Sequence, residues 1–180
     1  SLLPAGDCLV DGRGLGVRVS GNKQGGPVHV PIAYDHPRRR RSTSVAPLVA
    51  GDAADHFLSA FVDSANVWCV AEYAAGWHKN SLLPDQGNNV VLSGHHNVKG
   101  EVFRFIVDLE PGTVISLYTD DQQYDYAVAD KFIVKDKGEP EAVRRENAKW
   151  VGPFNDDRLT LVTCWPYNNN THRVIVIAKP

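Results

Sequence analysis

Two runs of apolar and β-branched residues near the end of the chain, at 159–163 and 174–178, dominate its hydrophobic pattern. Neither run alternates with polar residues, which is typical of strands that are buried on both faces. The connection at 165–171 contains Pro166 and three consecutive asparagines, residue types that favour turns. The pattern therefore predicts an antiparallel hairpin, with a loop longer than most hairpin loops.

Other stretches rich in apolar and β-branched residues predict further strands along the chain. They lie at 28–32, 90–93, 114–119 and 124–135, and the last two form a hairpin across 120–123. The Asp120-Asp121 pair in that connection is more simply a solvated turn than a calcium site. Many short strands with few helices predict an all-β fold, a closed β-barrel of about eight strands.

Two short helices are predicted in the connections between these strands. Apolar residues at 102, 103, 106 and 109 follow helical spacing and predict a helix over 102–109. Pro140, with acidic residues beside it and Arg144 and Arg145 following, predicts a second helix that ends near Trp150.

The first third of the chain has a different character. Residues 1–26 are rich in Gly and Pro and predict a linker, and residues 47–61 could contain a short helix. The four arginines at 38–41 are interpreted as a solvated charge cluster. We therefore divide the chain into a leader of uncertain structure, 1–65, with early barrel strands possible, and a folded domain, 66–180.

Composition and charge narrow the classes of function. The chain has 180 residues, a net charge of −2 and a pI near 6.4, which argues against a nucleic-acid partner. It has no run of 18 apolar residues, so no membrane anchor is predicted within it. Because it starts at Ser1 and contains no Met, we expect any signal or anchor segment to lie upstream.

The predicted hairpin brings a thiol and a cation together. Cys164 ends its first strand and Arg173 begins its second, so both lie at the same rim of the sheet. Cys8 and Cys69 carry no motif and are interpreted as a loop residue and a small core residue. A thiolate is the reactive form of cysteine, and neighbouring cations favour it. Cys164 is therefore the candidate nucleophile.

A histidine for proton transfer follows the strand at 90–93, in the sequence Gly94-His95-His96. Together with TLVTC at 160–164 and Arg173 at the head of the last strand, this dipeptide resembles the sortases, over about residues 67–180. The resemblance implies a sortase-like barrel and a transpeptidase that uses no cofactor. Cys164 would form a thioester, His95 would act as general acid, and Arg173 would bind the developing oxyanion.

The resemblance also implies the partners of the reaction. The substrate would be an LPxTG-type sorting signal of secreted proteins, and the acceptor an amine of a cell-wall precursor or a pilin-type lysine. The location would be extracytoplasmic, at the cell surface. Thr163 and His96 are candidates for substrate binding, although Thr163 faces away from Cys164 by strand alternation.

Two alternatives stay open on the sequence alone, and a metal site is a third possibility that the spacing argues against. The same residues would serve a cysteine peptidase that uses water as acceptor, or a β-barrel binding module without activity. A metal site would need His78, His95 and His96, but adjacent strand residues face opposite sides and no Cys-x2-Cys or His-x3-His spacing occurs. No metal is therefore predicted.

Overall fold

The structure is a computed structural model that describes residues 75–78, 81–118 and 122–180 in full. Of the earlier chain it describes only the backbone of four strands. In chain order the elements are β1 Gly16–Ser20, β2 Val28–Ala33, β3 Phe61–Val62, β4 Trp68–Cys69, β5 Ala75–Trp77, β6 Asn89–Ser93, β7 Val114–Tyr118, β8 Gln123–Lys135, α1 Glu141–Ala148, β9 Arg158–Trp165 and β10 His172–Lys179. Single 3-10 turns occur at Ile106–Asp108 and Lys149–Val151.

The hairpin of β9 and β10 forms as the hydrophobic pattern predicts. The two strands pair antiparallel, and every residue of 159–163 and 174–178 is buried. The predicted strands at 28–32 and 90–93, and the predicted hairpin of β7 and β8, are confirmed as well. The described part of the chain is thus mostly strands, as predicted. Eight of them form one curled sheet, and β3 pairs with β4 in a separate two-stranded sheet.

Strand pairing around this sheet follows the order β1, β2, β5, β6, β9, β10, β8, β7, and β1 also pairs with β7. Most neighbours are antiparallel. The two exceptions are β2 with β5 and β6 with β9, which run parallel. The β6–β9 pair matters most for function, because it delivers the segment after Ser93 to the same rim as Cys164.

Both faces of β9 and β10 are covered by apolar side chains, since alternate residues of a strand point to opposite faces. One face joins the larger core, in which Leu159, Leu161, Val174 and Val176 pack. The other face carries Val162, Ile175 and Ile177, which pack under Ala148 at the end of α1 and under Trp150. Double coverage explains why the two strands show no polar alternation.

The predicted helix at 102–109 is wrong in conformation. The segment forms consecutive turns with one 3-10 turn at Ile106–Asp108. Its apolar residues are nevertheless in the core, where Phe103, Ile106 and Leu109 are at most 4% exposed. The hydrophobic spacing correctly predicted which residues are buried, because consecutive tight turns can bury residues at intervals similar to those of a helix. The second helix is confirmed as α1 and the 3-10 turn after it.

In the first third of the chain, the linker prediction for 1–26 is wrong at Gly16–Ser20. These residues form β1 and pair with β2 and β7. The helix predicted within 47–61, the arginines at 38–41 and Cys8 lie outside the described residues, apart from Phe61, which begins β3. Cys69 lies in β4.

Candidate active site

Cys164 and Arg173 are direct cross-strand partners in β9 and β10. Residues that oppose each other in an antiparallel pair share a face of the sheet, and their Cβ atoms lie within about 5.5 Å. Cys164 is a free thiol, partly exposed, whereas Arg173 is buried. The predicted rim therefore exists, with a buried cation beside an accessible thiol.

The guanidinium of Arg173 is held by several acceptors. Its Nη2 lies 2.9 Å from Oδ2 of Asp136, and both side chains are at most 5% exposed. Its Nη1 donates to the backbone carbonyls of Asn170, at 3.0 Å, and His172, at 2.9 Å. Its Nε is buried and has no hydrogen-bond partner in the described part of the chain.

Asp136 is a site residue that sequence reasoning missed. It follows β8 directly, and its backbone N–H donates to the carbonyl of Thr171 at 3.0 Å, so the end of β8 is bonded to the loop that precedes Arg173. The only available signal was a single acidic residue at the end of a strand that pairs with β10. Many strands end in such a residue, so an acidic residue at this position does not by itself indicate a functional site.

His95 reaches the site through the parallel pairing of β6 with β9. That pairing continues past Ser93, because the N–H of Gly94 donates to the carbonyl of Val162 at 3.1 Å. The hydroxyl of Thr163 also donates to the carbonyl of Gly94, at 2.7 Å. His95 is the next residue along the chain, so β6 presents it beside the strand end that carries Cys164. Its side chain is half-buried.

Gly94 is needed for close approach. The φ of Gly94 is not positive, so its backbone conformation does not by itself require glycine. A Cβ added there would lie 2.6 Å from Cγ of Phe103 and 2.9 Å from Cγ2 of Val102. The absence of a side chain lets the turn at 102–103 pack directly beneath the histidine, where the N–H of Phe103 donates to the carbonyl of His95.

His96 lies in a different environment from His95. It is 2% exposed, and its ring makes edge contacts with Trp165 and Tyr167, at centroid distances of 5.2 and 5.7 Å. Its Nδ1 is buried without a hydrogen-bond partner in the chain as described. The structure thus packs His96 under the β9–β10 loop. The substrate contacts suggested for His96 and Thr163 stay predictions, and the Thr163 hydroxyl already bonds Gly94.

A second set of contacts joins the β6 loop, the segment 94–105 that follows β6, to the β9–β10 loop, residues 166–171. The hydroxyl of Tyr167 donates to Glu101, whose other carboxylate oxygen pairs with Arg104, and the guanidinium of Arg104 lies 5.1 Å from the centroid of the Tyr167 ring. Asn97 accepts a hydrogen bond from Asn170 at 3.2 Å. The loops that carry or follow the candidate histidine and cysteine are therefore linked side by side.

Burial sets the resting protonation states of the two candidate reactive groups. It raises the pKa of the Cys164 thiol above its ordinary value. The Arg173 cation lowers this pKa, and the Asp136 carboxylate raises it. The sequence suggested that nearby cations would favour the thiolate, and burial outweighs that effect. Burial also lowers the pKa of His95, so at neutral pH the thiol and the neutral imidazole are the favoured forms.

The histidines considered above as metal ligands do not form a metal site in the part of the chain that the structure describes. Among the described residues no three His, Cys, Asp or Glu side chains come together as metal ligands. His78 bonds Ser93 instead, with 2.6 Å between Nε2 and Oγ. No helix of those residues is long and apolar enough to cross a membrane.

Comparison with known proteins identifies the family. The model of the sortase domain matches residues 56–180, more than half of the chain. Curated relatives include the sortase SrtE1 of Streptomyces coelicolor, 31% identical over 114 residues, and sortase D of Bacillus subtilis, 30% identical over 111 residues. These alignments cover 61% and 60% of this chain but only 31% and 50% of the relatives. The chain belongs to the sortase family, a family of cysteine transpeptidases.

Solved structures show the same fold. Sortase A from Corynebacterium diphtheriae, in a lid mutant, matches 91% of this chain and 67% of its own with a TM-score of 0.58 at 21% identity. A sortase D5 transpeptidase from Clostridium perfringens matches 91% of this chain and 78% of its own with a TM-score of 0.54 at 20% identity. The match of the sortase-domain model confirms the resemblance inferred from TLVTC, Gly94-His95 and Arg173.

Proposed function

We propose that this chain is a transpeptidase that cleaves a C-terminal sorting signal of the LPxTG kind after its threonine. It then transfers the new carboxyl end to a cell-surface amine, such as that of a cell-wall precursor or a pilin-type lysine. The substrate is a peptide, and no cofactor is required. The observation that carries the proposal is the meeting of three neighbouring strands at one rim, where β9 supplies Cys164, β10 supplies Arg173, and the extension of β6 supplies His95.

In the first half of the reaction, neutral His95 takes the proton of the Cys164 thiol, and the thiolate attacks the carbonyl carbon of the substrate threonine while the carbonyl π electrons move to oxygen. Arg173 donates to this oxyanion, for which its Nε–H has no competing acceptor among the described residues. When the oxyanion collapses, the C–N bond breaks and the amine leaves with a proton from His95. A thioester on Cys164 remains.

In the second half, the acceptor amine attacks the thioester. Neutral His95 removes a proton from this amine, the C–S bond breaks, and the departing thiolate of Cys164 takes that proton from His95, which restores the thiol and the neutral imidazole. Water in place of the amine would give hydrolysis through the same intermediate. The partial burial of Cys164 limits how much water reaches the intermediate.

The wider setting of the protein is also a proposal. We propose that the eight paired strands close into a complete barrel, that residues 66–180 hold the catalytic machinery, and that the protein works outside the cytoplasm at the cell surface. Membership of the sortase family supports this location.

The experiment is turnover of a library of sorting-signal peptides, with and without an added primary amine. We expect cleavage in both cases, formation of the amide product only when amine is present, and a thioester on Cys164 detectable by mass spectrometry. Cys164→Ala should abolish cleavage with little loss of fold stability, because the change removes one sulfur at a partly exposed strand end. Cleavage that survives in Cys164→Ala would refute the assignment, and cleavage without amide product would identify a peptidase.

A further inference from the structure

Asp136 is a buried carboxylate between two arginines at the edge of the site. It is 2% exposed, its Oδ2 lies 2.9 Å from Nη2 of Arg173, and its Oδ1 lies 3.4 Å from Nε of Arg144. Buried ionised groups are costly unless they are paired and hydrogen-bonded, so a carboxylate in this position requires its partners. The reaction proposed above assigns Asp136 no role.

The contacts of Arg173 show what Asp136 contributes. Backbone carbonyls of the loop and of His172 accept from Nη1, which fixes one end of the guanidinium. The bond from Nη2 to Asp136 fixes the other. Two anchored ends define the plane of a guanidinium, whereas one anchored end leaves it free to rotate. With both ends held, Nε–H is a buried donor without an acceptor in the described residues.

A buried donor that the protein leaves unpaired is costly, and such donors in native sites call for an explanation. A substrate carbonyl next to Cys164 would supply the missing acceptor. We propose that Asp136 is a positioning residue, which holds the guanidinium of Arg173 in the orientation that leaves its Nε–H for the substrate. This inference rests on the proposed function and adds a fourth residue to its machinery.

Asp136 also acts on Cys164 through charge, and this second effect provides an independent readout. Among the described residues, the neighbouring strands bring three charged or titratable groups to the rim of the thiol: Arg173 from β10, Asp136 from the end of β8 and His95 from the extension of β6. The Asp136 carboxylate raises the pKa of the thiol. Any variant that removes this charge should therefore shift the alkylation of Cys164 to lower pH, whether or not it keeps a hydrogen-bond acceptor.

The test compares Asp136→Ala with Asp136→Asn. Both remove the charge, but only asparagine keeps an oxygen that can accept from Nη2 of Arg173. We expect Asp136→Ala to lower kcat/KM for the sorting-signal peptide about a hundredfold, the scale of a misplaced catalytic group. Asp136→Asn should stay within about tenfold of wild type. In both variants iodoacetamide should alkylate Cys164 at lower pH, as followed by mass spectrometry of its peptide.

Glu139→Gln is the matched control. It removes one acidic charge three residues away, from a surface pair with Lys135, and should leave both readouts unchanged. Circular dichroism melts check the fold of every variant. If Asp136→Ala does not fold, Asp136→Ser replaces it, because serine is too short to reach Nη2.

Equal losses of cleavage in Asp136→Ala and Asp136→Asn would overturn the inference, because charge alone would then explain them. A loss in Asp136→Ala no larger than in Glu139→Gln would overturn it too, as would unfolding of all three Asp136 variants. A wild type that turns over no peptide would contradict the proposed function instead. Even in that case the alkylation assay remains informative. If the pH dependence of Cys164 alkylation is the same in the Asp136 variants as in wild type, the electrostatic effect of Asp136 on the thiol is refuted.

Discussion

Acid should destabilise this protein through one buried histidine, His78. The ring is 7% exposed, and its Nε2 lies 2.6 Å from the hydroxyl of Ser93. The backbone around it is held as well, since its N–H donates to Val91 and its carbonyl accepts from the hydroxyl of Ser81. An imidazolium in this place would lose its hydration without gaining a counter-ion from the described residues, and burial lowers the pKa of His78 from 6.5 to about 4.

The direction of the effect follows from proton binding. Between pH 6.5 and about 4 the histidine of the unfolded chain is protonated and that of the folded chain is not. The unfolded state therefore binds more protons, and the free energy of unfolding falls as the pH falls through this window. A pKa gap of about 2.5 units corresponds to about 3 kcal/mol, lost progressively below pH 6.5 and fully at about pH 4. Above pH 7 the contribution is constant.

Urea denaturation of wild type and His78→Asn, at pH values from 7.5 to 4.5, measures this loss. Asparagine is neutral throughout and can still bond Ser93, so its free energy of unfolding should fall less steeply with pH. Carboxylates titrate in both proteins and cancel in the difference. We expect wild type to lose about 2–3 kcal/mol more than the variant over this range. Parallel curves would show that His78 is protonated in the folded state without penalty, and the reasoning would fail.

Three further predictions concern the site. His95→Ala should lower kcat at least about a hundredfold, as expected for a general acid, whereas His96→Ala should act mainly on KM or do little; the reverse order in steady-state assays would exchange their roles. Alkylation of Cys164 by iodoacetamide should be half-maximal above pH ~8.5, the ordinary value for a thiol, because burial raises its pKa, and a lower midpoint would contradict this. Tyr167→Phe removes the hydroxyl that donates to Glu101 and should speed amide exchange in the β6 loop about fivefold; unchanged exchange would show that this bond does not restrain the loop.

Predictions from the sequence were correct where strand formation and the facing of side chains follow from the residues of one segment. The unbroken apolar runs predicted β9 and β10, and strand alternation then placed Cys164 and Arg173 on one face. The spacing at 102–109 correctly marked core residues but gave the wrong conformation. Glu101, directly before this segment, has φ of 50°, and the backbone bond from Phe103 to His95 holds the segment against β6. Tertiary contacts of this kind have no local signature.

Asp136 shows more clearly what local sequence patterns cannot predict. The role proposed for Asp136 depends on Arg173, which is distant in sequence, and on the loop carbonyls that orient the guanidinium. A single acidic residue after a strand carries no pattern that would distinguish it from a solvated turn. The packing of His96 between Trp165 and Tyr167 is a similar case, because two adjacent histidines give no indication of which one the loop will cover.

The parallel pairing of β6 with β9 has a consequence for how the protein acquires activity as it folds. Cys164 and Arg173 are nine residues apart and meet within one hairpin, a local contact that closes early. His95 must wait for a contact that spans far more chain, since the Thr163–Gly94 bond joins residues 69 positions apart. During refolding, the Cys164 thiol should therefore meet Arg173 before it meets His95, its proposed proton-transfer partner. Peptide turnover should recover later than the hairpin, in step with the long-range closure of the sheet.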